Sequence, residues 1–67
     1  MKKMIFENMK DLKKMIDLFE RNNLEYSWYF MNKKYEMHLG GTSYDHVKWM
    51  LKDGNIQIPF KWGDYYW

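Results

Sequence analysis

The sequence predicts a small α+β domain, a small antiparallel sheet with two helices on one face. Two observations predict it. Apolar residues recur at spacings of three and four over residues 9–19 and then alternate strictly over 24–39. The same change of period repeats downstream, from a helical spacing over 44–51 to alternation over 56–62.

The first helix is the clearest element. Asn8 has the side chain of an N-cap, and Asp11 follows three residues later to complement the free N–H groups. Met9, Leu12, Ile16 and Phe19 form its apolar stripe, while Lys10, Lys13, Lys14, Asp17 and Arg21 fall mainly opposite. Lys13–Asp17 and Asp17–Arg21 are four apart and support a solvated face. Asn22 and Asn23 are suitable stop residues.

A hairpin follows. Leu24, Tyr26, Trp28 and Phe30 alternate with Glu25, Ser27, Tyr29 and Met31, and Tyr35, Met37 and Leu39 alternate with Glu36 and His38. A two-residue turn at Asn32-Lys33 pairs Phe30 with Tyr35, Trp28 with Met37 and Tyr26 with Leu39, all apolar. Lys33 suits the second turn position less well than glycine, so a four-residue loop in the same register is the alternative.

Residues 40–54 restart a helix. Thr42 or Ser43 would cap it, Tyr44, Val47, Met50 and Leu51 would form its buried side, and Gly54 would end it in the left-handed conformation. The segment from Asn55 to Trp62 returns to alternation through Ile56, Ile58, Phe60 and Trp62. Pro59 has no N–H for a ladder and so indicates an edge strand or a bulge. The resulting order is α-β-β-α-β. Residues 2–6 either extend the first helix, the reading slightly favoured here, or form a preceding strand. In the second case the order β-α-β-β-α-β resembles that of ferredoxin-like folds.

The 67 residues make one small domain, 1–67, without repeat or linker. A chain this short buries only about 60% of the surface it exposes when unfolded. Cysteine is absent, so disulfides and thiolate metal sites are excluded, and the 21% aromatic content must supply the burial. Two lysines stand near the start, but Glu7, Asn8, Lys10 and Asp11 interrupt the apolar run after them too soon for a secretion signal. No apolar stretch approaches the roughly 20 residues that span a bilayer, so the expected location is cytoplasmic, with no membrane partner. A net charge of +2, carried almost wholly by lysine, does not by itself imply nucleic acid. The absence of alanine and the wealth of Lys, Asn, Met, Tyr and Phe fit an AT-rich genome. That association points to phages and mobile elements of low-GC bacteria, whose host cytoplasm would be the site of action.

Aromatic residues beyond the needs of the core are the main functional signal. Tyr29, Met31, Trp49, Tyr65, Tyr66 and Trp67 are left over, with Met15 and Leu18 on the flank of the first helix. Tyr29 and Met31 point away from the helices if Trp28 and Phe30 point toward them. Exposed aromatics at this density mark an interaction surface, and Trp and Tyr are enriched at its energetic centre. The competing readings are a tail that folds back to seal the core, and a homodimer made through the tail.

Other constellations favour ordinary structure. The Gly-Gly-Thr-Ser run at 40–43 lacks the spacing of either phosphate-loop fingerprint and reads as a turn into a helix. Glu36, His38, Asp45 and His46 have oxygen and nitrogen ligand chemistry but no fixed metal spacing, so no metal and no cofactor is expected. Ser27 lies across from His38 in the proposed register, yet no nucleophile elbow accompanies it. Lysines 2, 3, 10, 13, 14, 33 and 34 would form a basic strip if the first helix and the hairpin tip lay side by side.

The expected function is therefore binding without catalysis. The leading reading is a small phage- or mobile-element-encoded protein that binds a host protein and inhibits it by occlusion, as anti-defence and host-takeover proteins do. Its contact residues would be Tyr29, Trp49, Tyr65, Tyr66 and Trp67. The alternative is a module for single-stranded nucleic acid.

Overall fold

The computed structural model describes residues 1–65. Tyr66 and Trp67, two of the expected contact residues, lie outside the described residues. The chain runs β1 (Lys2–Phe6), α1 (Met9–Arg21), β2 (Ser27–Met31), β3 (Lys34–His38), α2 (Gly41–Lys52) and β4 (Lys61–Asp64). The sheet order is β2-β3-β1-β4, antiparallel throughout, the order of ferredoxin-like folds.

The preference for a helical start is overturned: residues 2–6 are a strand, and a central one. The physical reason is the Asn8 cap. Asn8 is extended and its side chain accepts from the Asp11 N–H at 2.9 Å, so no helix turn can continue back through it. Upstream, Met4 and Phe6 are fully buried while Ile5 between them is not, which is strand alternation.

Both helices stop by the same device. Asn23 is left-handed (φ 54°), and Leu24 donates its N–H to the Phe19 carbonyl at 2.9 Å. Gly54 is left-handed (φ 75°), and Asn55 donates to the Met50 carbonyl at 2.9 Å. The start of α2 departs from expectation. Gly40 stands at the cap, the helix begins ahead of Thr42 and Ser43, and Ser43 is buried. Its hydroxyl donates instead to the Glu25 carbonyl at 2.7 Å, pinning α2 to the segment that enters β2.

The hairpin has the expected register: Phe30 faces Tyr35, Trp28 faces Met37 and Ser27 faces His38. Asn32 and Lys33 both take positive φ (52° and 63°), as a two-residue type I′ turn requires, so lysine accepts the strained position. The last strand is shorter than the alternating run that predicts it. Only Lys61–Asp64 joins the ladder, after Pro59, although Ile56, Ile58 and Phe60 keep their alternate burial. As an edge strand β4 fits the proline signal.

The core lies between the sheet and the helices: Met4, Phe6, Leu12, Met15, Phe19, Met37, Leu39 and Val47 are sealed from solvent. Met15, expected on the flank of α1, is a full core member. Trp28 and Phe30, expected in the core, remain 40% and 60% exposed. Met15 shares the α1 face that Leu12 and Phe19 bury against the sheet, and the exposure of Trp28 and Phe30 follows from β2 being an edge strand, since the strands α1 packs against are β1 and β3. Among the described residues no helix is long and apolar enough to cross a membrane.

Candidate functional site

Because successive strand residues point to opposite faces, the buried Met4, Phe6 and Met37 define the helix side of the sheet. The ladders then place Tyr29 and Met31 of β2, Glu36 and His38 of β3, and Lys3 and Ile5 of β1 on the open side.

The centre of this open face is polar and closed. The Glu36 side chain is buried; Lys3 Nζ donates to its Oε1 at 2.9 Å, and His38 Nε2 lies 3.2 Å from the same oxygen. Facing a carboxylate, that ring nitrogen is the donor. Burial pushes the Glu36 carboxyl up, but hydrogen bonds and charge from Lys3 and His38 outweigh it and hold it below the ordinary carboxylate value. Gly63 on β4 gives Lys3 its path. A Cβ there would stand 3.0 Å from both Lys3 Cε and Ile5 Cδ1.

Around this centre lies an aromatic row. Tyr65 stacks on His38 with ring centroids 4.1 Å apart and planes 21° apart, and Tyr29 meets the same imidazole at 4.9 Å. Tyr65 is tied at three points. Its hydroxyl donates to the Leu39 carbonyl at 3.0 Å, its N–H donates to the Met1 carbonyl at 2.9 Å, and its own carbonyl accepts from the N-terminal ammonium at 3.1 Å. Lys3, Tyr29, Met31, Glu36, His38 and Tyr65 together line a shallow depression.

Tyr29 and Tyr65 are thus brought together, Tyr29 45% exposed and Tyr65 half-buried. Trp49 is not part of this group. It stands 73% exposed on α2, in the helix layer, beside Lys48, Lys52 and Asp53. Tyr66 and Trp67 lie outside the described residues.

The lysines expected to form a basic strip are divided. Lys2 pairs with Asp64 at 2.8 Å, Lys3 with Glu36, and Lys34 with Glu7. Lys34 lowers the Glu7 carboxyl, and Lys2 lowers that of Asp64, by hydrogen bond and charge. Lys10, Lys13 and Lys14 belong to α1, across the sheet from the aromatic row.

The remaining constellations resolve into structure. Ser27 opposes His38 in the ladder, while the imidazole is engaged by Glu36, Tyr29 and Tyr65. Asp45 and His46 are exposed on α2, on the opposite side of the sheet from Glu36 and His38. Among the described residues no group of three or more His, Cys, Asp or Glu is placed to hold a metal ion. The Gly40-Gly41 turn lines a depression with Asn23, Leu24 and Glu25, and Ser43 there is already bonded to the Glu25 carbonyl.

Two features escape sequence reasoning. One is the Lys3–Glu36–His38 cluster, which needs β1 beside β3. The other is the exposure of Trp28 and Phe30, which needs β2 at the edge. The fully apolar alternation of the hairpin conceals the latter, because it fits a central strand equally well. No protein-family model matches the chain, and neither a curated protein nor a solved structure matches it.

Proposed function

We propose that the protein is a small interaction module that binds a host protein through the open face of its sheet and inhibits it by occlusion. This is the mode of anti-defence and host-takeover proteins carried by phages and mobile elements. The supporting observation is the aromatic row Tyr29–His38–Tyr65 around the closed Lys3–Glu36 pair. Such a face offers apolar anchors with its central charges already satisfied, which suits a protein surface better than a polyanion. Tyr29 and Met31 are the exposed anchors, Tyr65 the ordered support, and Tyr66 and Trp67 follow it directly in the chain.

The test is affinity capture from nuclease-treated lysate of an AT-rich bacterial host, comparing the wild type with Tyr29→Ser/Met31→Ser. Truncating a true anchor weakens binding by about 2 kcal/mol or more, so a specific partner is retained by the wild type and lost by the variant. Equal retention by both chains removes the open face from the reading.

A second reading has an observation of its own. Aromatic side chains on the face of a four-stranded sheet suit stacking of unpaired bases. The pairing of Lys2, Lys3 and Lys34 with carboxylates weakens it, since little cationic charge remains for phosphates. Binding to a labelled single strand that falls steeply with salt would favour it.

A further inference from the structure

One side of α2 is buried through Ser43, Val47 and Met50. At about 3.6 residues per turn the ridge farthest from the core is Asp45, Trp49 and Lys52, with Thr42 and His46 beside it, and all five are exposed. Trp49, 73% exposed, is the most exposed large apolar side chain among the described residues, and the open face of the sheet makes no use of it. Thr42, Asp45, His46 and Trp49 line a shallow depression beside the indole. Their spacing is i, i+3, i+4 and i+7, the four-residue hole into which a facing helix inserts a side chain. Lys48, Lys52 and Asp53 line a second depression on the other side of the indole. The helix thus carries a knob and a hole on one ridge, a single turn apart.

We propose that α2 pairs antiparallel with α2 of a second copy, each Trp49 filling the hole of the other chain. Symmetry and charge select this occupant. The hole is centred between Asp45 and His46, so seating Trp49 of the second copy there puts a twofold axis at the level of Val47. The same operation seats the first Trp49 in the hole of the second copy, and one register satisfies both. Helices paired in this way set equivalent flanks side by side. Asp45 then lies between Lys48 and Lys52 of the second copy, twice by symmetry. Lys48 already reaches Asp45 of its own chain at 3.9 Å, so Lys52 is the cation that the pairing adds. Asp53 of the second copy comes level with Gly41 and Thr42, at the positive end of α2. The register that seats both indoles is therefore also the one that sets opposite charges together. With 12 residues and one large knob per helix, the contact falls short of the roughly 1,200 Å² of a stable complex and depends on concentration. It leaves both open sheet faces on the outside of the dimer, and it goes beyond the open-face reading without resting on it.

The test is sedimentation velocity from about 10 μM to about 1 mM, the range of weak protein contacts. The expected result is a wild-type equilibrium between monomer and dimer. Trp49→Ala removes both knobs and should abolish the dimer with native circular dichroism, because the ring stands outside the core. Asp45→Lys and Lys52→Glu each replace two attractions by two repulsions and should weaken self-association about tenfold. Mixed in equal amounts, those two variants regain dimer, because both contacts of the mixed pair then join a lysine to a carboxylate. Tyr29→Ser/Met31→Ser should dimerise as the wild type does, which separates this test from that of the open face. A wild type that stays monomeric at the highest concentration overturns the proposal. So does a dimer that persists in Trp49→Ala, and so does the absence of rescue on mixing. Loss of the dimer in Tyr29→Ser/Met31→Ser would place self-association on the open face and overturn it as well.

Discussion

The imidazole of His38 lies flat against the ring of Tyr65, 4.1 Å between centroids, while its Nε2 donates to the buried Glu36. Tyr65 therefore serves as a cover over the polar centre of the sheet as well as a surface aromatic. Removing only its hydroxyl, in Tyr65→Phe, deletes the bond to the Leu39 carbonyl and should cost about 1 kcal/mol. Tyr65→Ala also removes the stack and should cost about 2 kcal/mol or more. Urea unfolding followed by circular dichroism measures both. Wild-type stability in Tyr65→Ala would make this ring a surface group alone.

The Glu36 carboxyl gives a pH dependence of known sign. Its value in the fold is held below that in the unfolded chain, so its contribution is complete above the ordinary carboxylate value. The contribution is lost as pH falls through the lower, folded value. Glu36→Gln should reduce stability at neutral pH by about 2 kcal/mol, since Lys3 and His38 lose a charged acceptor. It should also flatten the decline in acid, and the gap between the two chains should close there. Unfolding midpoints measured from neutral pH down to strong acid give both curves. A gap that stays constant with pH would show that the carboxylate charge contributes nothing.

The glycines separate by backbone conformation. Gly54 stands at φ 75°, where a Cβ is strained, so Gly54→Ala should cost about 1 kcal/mol despite empty space around it. Gly41 begins α2 with nothing within 4 Å of a built Cβ, so Gly41→Ala should be neutral or stabilising by about 0.5 kcal/mol. Thermal unfolding of the two variants checks this opposite pair of signs. A loss of stability in Gly41→Ala would give the 40–43 turn a constraint beyond that of a helix start.

What the sequence disclosed was local. The Asn8 cap, the Asn32-Lys33 turn, the hairpin register and the Gly54 stop each depend on residues within a few positions, and each is found where its chemistry requires it. What stayed hidden depends on which strands are neighbours. The Asn8 cap bars a helix through Lys2–Phe6, but only the flanking β3 and β4 make that segment a central strand. Trp28 and Phe30 alternate like core residues, and only the edge position of β2 leaves them exposed. Among the expected contact residues, Tyr29 and Tyr65 meet through His38, a residue weighed only as a ligand or a base, while Trp49 faces elsewhere.

The position of β1 bears on how the chain reaches this state. The first strand made is flanked by β3 on one side and by β4 on the other, and the β4 side closes with Met1 against Tyr65, 64 positions away. The β2–β3 hairpin, joined by a two-residue turn, can form within microseconds. Closure of β1 against β4 must bring the most distant parts of the described chain together, and such long-range pairing slows folding. Until that step, the side of β1 that β4 will occupy is an unpaired edge as open as β2. The finished fold leaves β2 bare, and its immature form bares β1 as well.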